Sequence, residues 1–159
     1  MTLRVLDIVR GTTVDGPGFR TSIYLAGCTH KCEGCHNPQS WDPEQGASMR
    51  LEDILAIVKE EDFDVTLTGG DPLFDPDGTY QLVKAIREAG YGIWLYTGYT
   101  IEEIEGNPSF LRLLPFLDAV VDGPFIQKLK DPDLLFRGSS NQRIIYINRK
   151  KGEAIEILK

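Results

Sequence analysis

All three cysteines of this chain, Cys28, Cys32 and Cys35, fall in one run of eight residues, within Gly27-Cys28-Thr29-His30-Lys31-Cys32-Glu33-Gly34-Cys35-His36-Asn37. No other feature constrains the fold as strongly. Thiolates spaced Cys-x3-Cys-x2-Cys converge on one metal centre from a single loop, and thiolate is the usual ligand of iron–sulfur clusters and a common ligand of zinc. Four readings compete. A four-iron cluster normally takes four protein ligands, so three cysteines leave one iron open to another molecule. A structural zinc site needs His30 or His36 as its fourth ligand, and such sites usually draw ligand pairs from two separated knuckles, of which the sequence has one. Ordinary buried thiols are a poor match to three cysteines set amid Lys31 and Glu33. A disulfide leaves one thiol over.

The elements around that loop follow from periodicity and punctuation. Leu3 to Val9 reads as a strand, Gly11 to Gly18 as a turn-rich loop, and Phe19 to Ala26 as a second strand that feeds directly into the cysteines. Pro38 to Ala47 is polar and irregular. Ser48 is placed to cap a helix in which Leu51, Ile54, Leu55 and Val58 recur at helical spacing. Asp64 to Thr68 is a strand ending at Gly69-Gly70. Leu82, Ala85, Ile86 and Ala89 mark a helix that Gly90 ends, and Ile93 to Tyr96 is a strand. Thr100-Ile101-Glu102-Glu103 has the form of a capping box, Asn107-Pro108 opens a short helix, and Pro115 ends it. Leu117 to Val121 and Arg143 to Ile147 read as strands, with Gly152 to Lys159 as an optional edge strand.

The middle of this order alternates strand and helix, which predicts parallel strands with right-handed crossovers in one α/β domain over residues 1–159. Ligands of such sheets bind at the carboxyl ends of the strands. The cysteine loop, Gly69-Gly70-Asp71, Thr97-Gly98 and Asp122-Gly123 all follow strands, so all four are expected at one end of the sheet. The chain is far too short for a complete eight-unit barrel. A partial (βα) barrel of mostly parallel strands fits.

Composition excludes several classes. Charged residues make up 26% and the net charge is −7, which argues against nucleic acid or an anionic membrane surface as a partner. No apolar run approaches a membrane span, and Met1 to Asp7 has no signal-peptide core. A cytoplasmic setting with reduced thiols is expected.

The cysteine motif resembles the cluster loop of the radical S-adenosylmethionine (radical SAM) enzymes. Asp15-Gly16-Pro17-Gly18-Phe19-Arg20 and Cys35-His36-Asn37 resemble the branch that activates glycyl radical enzymes. The resemblance runs roughly from Asp7 to Ile144. It implies a radical SAM-type fold and a [4Fe–4S] cluster on Cys28, Cys32 and Cys35, with S-adenosylmethionine chelating the fourth iron. It implies reductive cleavage to a 5′-deoxyadenosyl radical that removes a hydrogen atom from a glycine. The implied partners are a glycyl radical enzyme, the anaerobic ribonucleoside-triphosphate reductase, as protein substrate, and a low-potential electron donor such as flavodoxin or ferredoxin. A related radical chemistry on a small molecule such as a deazapurine precursor, a zinc-binding structural module and a plain electron carrier are the alternatives.

The same resemblance implies a cofactor-binding set of Gly34, His36, Asn37, Gly69, Gly70, Asp71, Asp122, Ser139 and Asn141. Gly69-Gly70-Asp71 is by itself a glycine-rich turn. Beside the cysteines it resembles the family's Gly-Gly-Glu motif, with Asp71 in place of glutamate. Gly34 stands where many members carry an aromatic residue near the adenine, and a glycine cannot stack. His36 reads equally as an exposed loop histidine, and His30 as either a solvated residue or one standing behind the ligands rather than a ligand itself. Asp15 to Gly18 is a turn by its chemistry, and Arg20 reads as a strand-edge charge. Arg137 to Gln142 is a polar turn that resembles the late segment of the reductase activators.

Overall fold

The computed structural model describes residues 1–28, 30, 42–151 and 153–158. Cys32, Gly34, Cys35, His36 and Asn37 lie outside the described residues. The elements are β1 (Thr2–Thr12), β2 (Arg20–Leu25), β3 (Ala47–Arg50), α1 (Leu51–Glu61), β4 (Asp64–Gly69), α2 (Pro76–Glu88), β5 (Ile93–Tyr96), α3 (Ile101–Glu105), α4 (Pro108–Leu111), β6 (Ala119–Asp122), β7 (Arg143–Asn148) and β8 (Glu153–Leu158). The eight strands form one sheet in the order β3-β1-β2-β4-β5-β6-β7-β8.

The central strands β2, β4, β5 and β6 are parallel, as the alternation of strand and helix predicts. The expectation of a mostly parallel sheet is corrected by the flanks. β1 runs antiparallel to β2 and β3, and β7 runs antiparallel to β6 and β8, so four of the seven described pairings are antiparallel. The reason is the length of the connections. Parallel neighbours need a crossover of about a dozen residues or more. β1 reaches β2 through residues 13–19, and β7 reaches β8 through 149–152.

Strand alternation divides the sheet into two faces. On one, Ile23, Leu25, Val65, Leu67, Ile93, Leu95, Val120 and Ile145 are buried with Ile54 and Val58 of α1, Leu82 and Ile86 of α2, and Ile101 and Ile104 of α3. The other face carries a smaller cluster of Trp94, Ala119, Val121 and Ile144, with Tyr96, Phe136 and Tyr146 packed against it. Helices contribute to the first cluster and not to the second.

Two local expectations change. Ser48 does not cap α1. Residues 47–50 pair with β1, Ser48 opposite Arg4, so the helix begins only after Arg50, which makes no side-chain cap. Pro115 does not end α4, which stops at Leu111; it sits within a separate 3₁₀ turn, Leu114–Phe116. The capping box at Thr100 and Glu103 forms in both directions, and Asn107 accepts from Ser109 N–H at the start of α4.

Candidate cofactor site at the carboxyl ends of the parallel strands

β2 ends in a turn that only glycine makes easily. Gly27 has φ +101°, and a side chain there would meet the Phe74 ring at 2.6 Å. The turn delivers Cys28, which is buried, to the carboxyl end of the strand. The β4 loop is tied to the same place. Gly70 N–H donates to Leu25 O at 2.8 Å, and Asp71 N–H donates to Gly27 O at 2.7 Å. Gly69 has φ +111°, and a Cβ on it would come 2.3 Å from Leu25 N. The glycines therefore let two strand ends touch through backbone alone, directly beside the first cysteine.

Asp71 is only 2% exposed, and its carboxylate is fully engaged. Oδ1 accepts from Leu73 N–H at 2.9 Å, capping a 3₁₀ turn over Pro72–Phe74. Thr97 Oγ1 donates to the carboxylate at 2.9 and 3.0 Å from its two oxygens, and Gly98 N–H donates to Oδ2 at 3.0 Å. His30 Nε2 lies 2.9 Å from Oδ2, a contact that becomes an ion pair when the imidazole is protonated. The Asp71 carboxylate raises the His30 pKa from its ordinary value, and burial opposes that rise.

The β6 end belongs to the same rim. Thr97 N–H donates to Val121 O at 3.0 Å, and Gly123 N–H donates to Tyr99 O at 3.0 Å. Asp122 Oδ2 accepts from Ile101 N–H at 2.8 Å, at the start of α3, and Oδ1 accepts from Arg143 Nε at 3.1 Å. Arg143 also pairs with Glu102 at 2.8 Å. Together Glu102 and Asp122 hold its guanidinium above its usual pKa. Ser139 Oγ donates to Asn141 Oδ1 at 2.6 Å, and Asn141 Nδ2 donates to Pro124 O at 2.7 Å. Gln142 closes the turn, accepting from Gly138 N–H and donating to Gly123 O.

The structure thus brings together Cys28, Gly69, Gly70 and Asp71, and connects Asp122 to them through the β5 loop. Ser139 and Asn141 direct their polar groups into their own loop and the segment after β6. The donor set suits an iron–sulfur cluster. Cys28 offers a soft thiolate, and a cluster on three thiolates is anionic. The two buried carboxylates of this rim are each balanced, Asp71 by His30 and backbone N–H groups, Asp122 by Arg143, so neither repels it uncompensated.

Sequence reading left the part played by His30 open between two alternatives and missed that of Arg20. His30 is half-buried between three partners rather than solvated: Asp71, Tyr99 edge-on at 4.5 Å between ring centroids, and Gly98, where a Cβ would stand 2.5 Å from its ring. Arg20 is buried rather than a strand-edge charge. It donates to Thr66 Oγ1, Pro17 O and Val65 O, and its guanidinium stands over Trp94 at 5.7 Å. Burial lowers its pKa. These bonds fold residues 13–19 back onto the face that the helices leave uncovered, where Ser22 Oγ donates to Asp15 Oδ2 at 2.6 Å. The signal was present: Arg20, Ser22 and Tyr24 alternate with Thr21, Ile23 and Leu25, marking a second face that is polar yet flanked by aromatics.

A family model described as a 4Fe–4S single cluster domain matches residues 14–145. An anaerobic ribonucleoside-triphosphate reductase-activating protein of Vibrio cholerae is 38% identical over 141 residues, covering 82% of this chain and 90% of that protein. The protein of the same name from Escherichia coli K12 is 36% identical over 147 residues, covering 84% and 92%. That of bacteriophage T4 is 36% identical over 141 residues, covering 82% and 86%. With most of its length matched in each case, the chain belongs to the 4Fe–4S single-cluster family and, within it, to the anaerobic ribonucleoside-triphosphate reductase-activating proteins.

Proposed function

We propose that this chain is a radical SAM oxidoreductase that cleaves S-adenosylmethionine reductively at a [4Fe–4S] cluster and generates a glycyl radical in anaerobic ribonucleoside-triphosphate reductase. One observation carries the reading: the backbone of Gly27 and Leu25, just before Cys28, is hydrogen-bonded to the backbone of Gly70 and Asp71. The backbone that leads into Cys28 and the glycine cradle are thereby joined directly. The family match to a four-iron domain sets the zinc-module reading aside.

Cys28, Cys32 and Cys35 are the residues that would hold the cluster. When bound, it supplies the single electron for cleaving the sulfonium. Gly69 and Gly70 bring backbone, free of side chains, close to the methionine end of the cofactor. Gly34, His36 and Asn37 are assigned to the adenosine end, and Asp122, Ser139 and Asn141 to shaping the rim through Arg143, α3 and the segment after β6. The partial (βα) barrel is assigned to β2, β4, β5 and β6, whose helices all pack on one face and leave the other available to a protein substrate.

Asp15 and its loop fit the role of receiving that substrate. One carboxylate oxygen of Asp15, Oδ1, is buried without a hydrogen-bond partner among the described residues, and an incoming backbone N–H would satisfy it. A protein loop entering there also excludes water from the reacting atoms. A low-potential carrier such as flavodoxin or ferredoxin is the proposed electron donor, in the cytoplasm. No helix among the described residues is long and apolar enough to cross a membrane.

The test is anaerobic reconstitution with iron and sulfide, followed by incubation with S-adenosylmethionine, a reductant and the reductase. Methionine should form, and electron paramagnetic resonance should show a glycyl radical growing in the reductase. Methionine release with no protein radical, while a small metabolite is consumed, would replace this reading with small-molecule chemistry.

A further inference from the structure

His30 sits between Cys28 and Cys32 but is held by elements outside the cysteine loop. Its Nε2 is 2.9 Å from Asp71 Oδ2, its ring meets Tyr99 edge-on, and the missing side chain of Gly98 gives it the space it occupies. Asp71 is itself immobilised by donors from the β4 and β5 loops, Leu73 N–H, Thr97 Oγ1 and Gly98 N–H, and by its own N–H bond to Gly27 O. A carboxylate offers about four lone-pair sites. Here protein groups use them, so the Asp71 side chain acts on its surroundings and not by reaching a cofactor. A glutamate would carry the carboxylate one methylene further, into the space filled by His30 and Gly98.

We propose that His30 and Asp71 are positioning residues that anchor the cysteine loop to the ends of β4 and β5, and so fix where the cluster stands relative to the Gly69-Gly70 backbone. This rests on the cluster and S-adenosylmethionine reading above. Carboxylates behind metal-ligating histidines serve a comparable end elsewhere, fixing the orientation of a group at the metal from outside its ligand set. Here the orientation is that of a loop. The pair couples the segment that supplies thiolates to the segment that supplies cofactor-facing backbone, so the two cannot shift independently.

The experiment uses the full chain, reconstituted anaerobically, as wild type, His30→Phe, His30→Gln and Asp71→Asn. His30→Phe keeps an aromatic ring against Tyr99 and removes the nitrogen; His30→Gln returns a donor. Iron per chain, the electron paramagnetic resonance spectrum of the reduced cluster with and without S-adenosylmethionine, and S-adenosylmethionine affinity are measured. His30→Phe is expected to load iron as wild type does. With S-adenosylmethionine its signal should split into more than one species, and affinity should fall about tenfold. Asp71→Asn should move both readouts the same way, the His30→Phe/Asp71→Asn double variant should be no worse than either single one, and His30→Gln should recover part of the loss. A single wild-type signal and unchanged affinity in His30→Phe would overturn the proposal. So would loss of iron from both His30 variants, which would make His30 a ligand. Failure of the wild-type protein to bind S-adenosylmethionine would strike the proposed function instead, and is read from the same samples.

Discussion

Cys28→Ala is expected to abolish S-adenosylmethionine cleavage while leaving the polypeptide folded. The chain has three cysteines, and the proposed cluster with one open iron would use all of them. Removing one leaves two thiolates for about four irons, too few to retain them. Cys28 is buried at the end of β2, where alanine is nearly the same size and the neighbouring backbone bonds of Leu25 and Gly27 do not involve its side chain. The apo variant should therefore keep its circular dichroism and melting transition. After reconstitution it should lack the broad visible absorption of the cluster and release methionine only at background. Cys32→Ala and Cys35→Ala should behave alike, since the argument counts donors. Full cleavage by any of the three would remove the cluster assignment.

Gly69→Ala should produce a large loss of stability for a single added methyl group. Its φ of +111° is a conformation that L-residues adopt only with strain, and such strain costs about 1–3 kcal/mol. The new Cβ would also lie 2.3 Å from Leu25 N and 2.4 Å from Leu25 O. Those are backbone atoms of a central strand, so relief requires β2 and β4 to separate at the end that carries Cys28. A loss of about 3 kcal/mol or more is expected, which in a domain of this size lowers Tm by roughly 6–12 °C. S-adenosylmethionine binding should fall with it, because the Gly70–Leu25 and Asp71–Gly27 bonds depend on that contact. Gly18→Ala is the control. Gly18 also has positive φ, +73°, but a Cβ there meets nothing within 4 Å. It should cost only about 1 kcal/mol, from backbone strain alone. Equal effects of the two substitutions in thermal melts would show that Gly69 is an ordinary turn residue.

These cases also show what could be read from sequence. The site's location was legible because it depends on local order: each of the four loops follows a strand that its own residues announce. β5 and the Thr100 capping box were legible for the same reason. β3 was not. Ala47-Ser48-Met49-Arg50 has little strand character, and it becomes a strand because β1 offers it an edge across more than forty residues of sequence. The Ser48 cap was lost to that pairing. The antiparallel flanks were more accessible, since the short connections after β1 and β7 leave no room for a crossover.

Asp71, His30 and Arg20 mark the other limit. Sequence places an acid after Gly69-Gly70, yet whether its carboxylate meets a cofactor or the protein depends on what β5 contributes beside it. Thr97 and Gly98 contribute an O–H and an N–H, and Gly98 also leaves room for His30. Arg20 is buried only because the loop before it folds back and supplies Pro17 O. Such partnerships join residues far apart in the chain, and no local pattern encodes them.

The central claim is that the hydrogen atom removed comes from a glycine of a protein partner. The direct measurement uses anaerobic ribonucleoside-triphosphate reductase containing α-deuterated glycine, mixed with the reconstituted chain, S-adenosylmethionine and reductant. Hydrogen abstraction requires the glycine α-carbon to approach the cofactor-derived radical closely, so the deuterium label follows the transferred atom. Deuterium should appear in 5′-deoxyadenosine as the glycyl radical signal rises in the reductase. Cleavage of S-adenosylmethionine that leaves 5′-deoxyadenosine free of deuterium, with no radical in the reductase, would contradict the account.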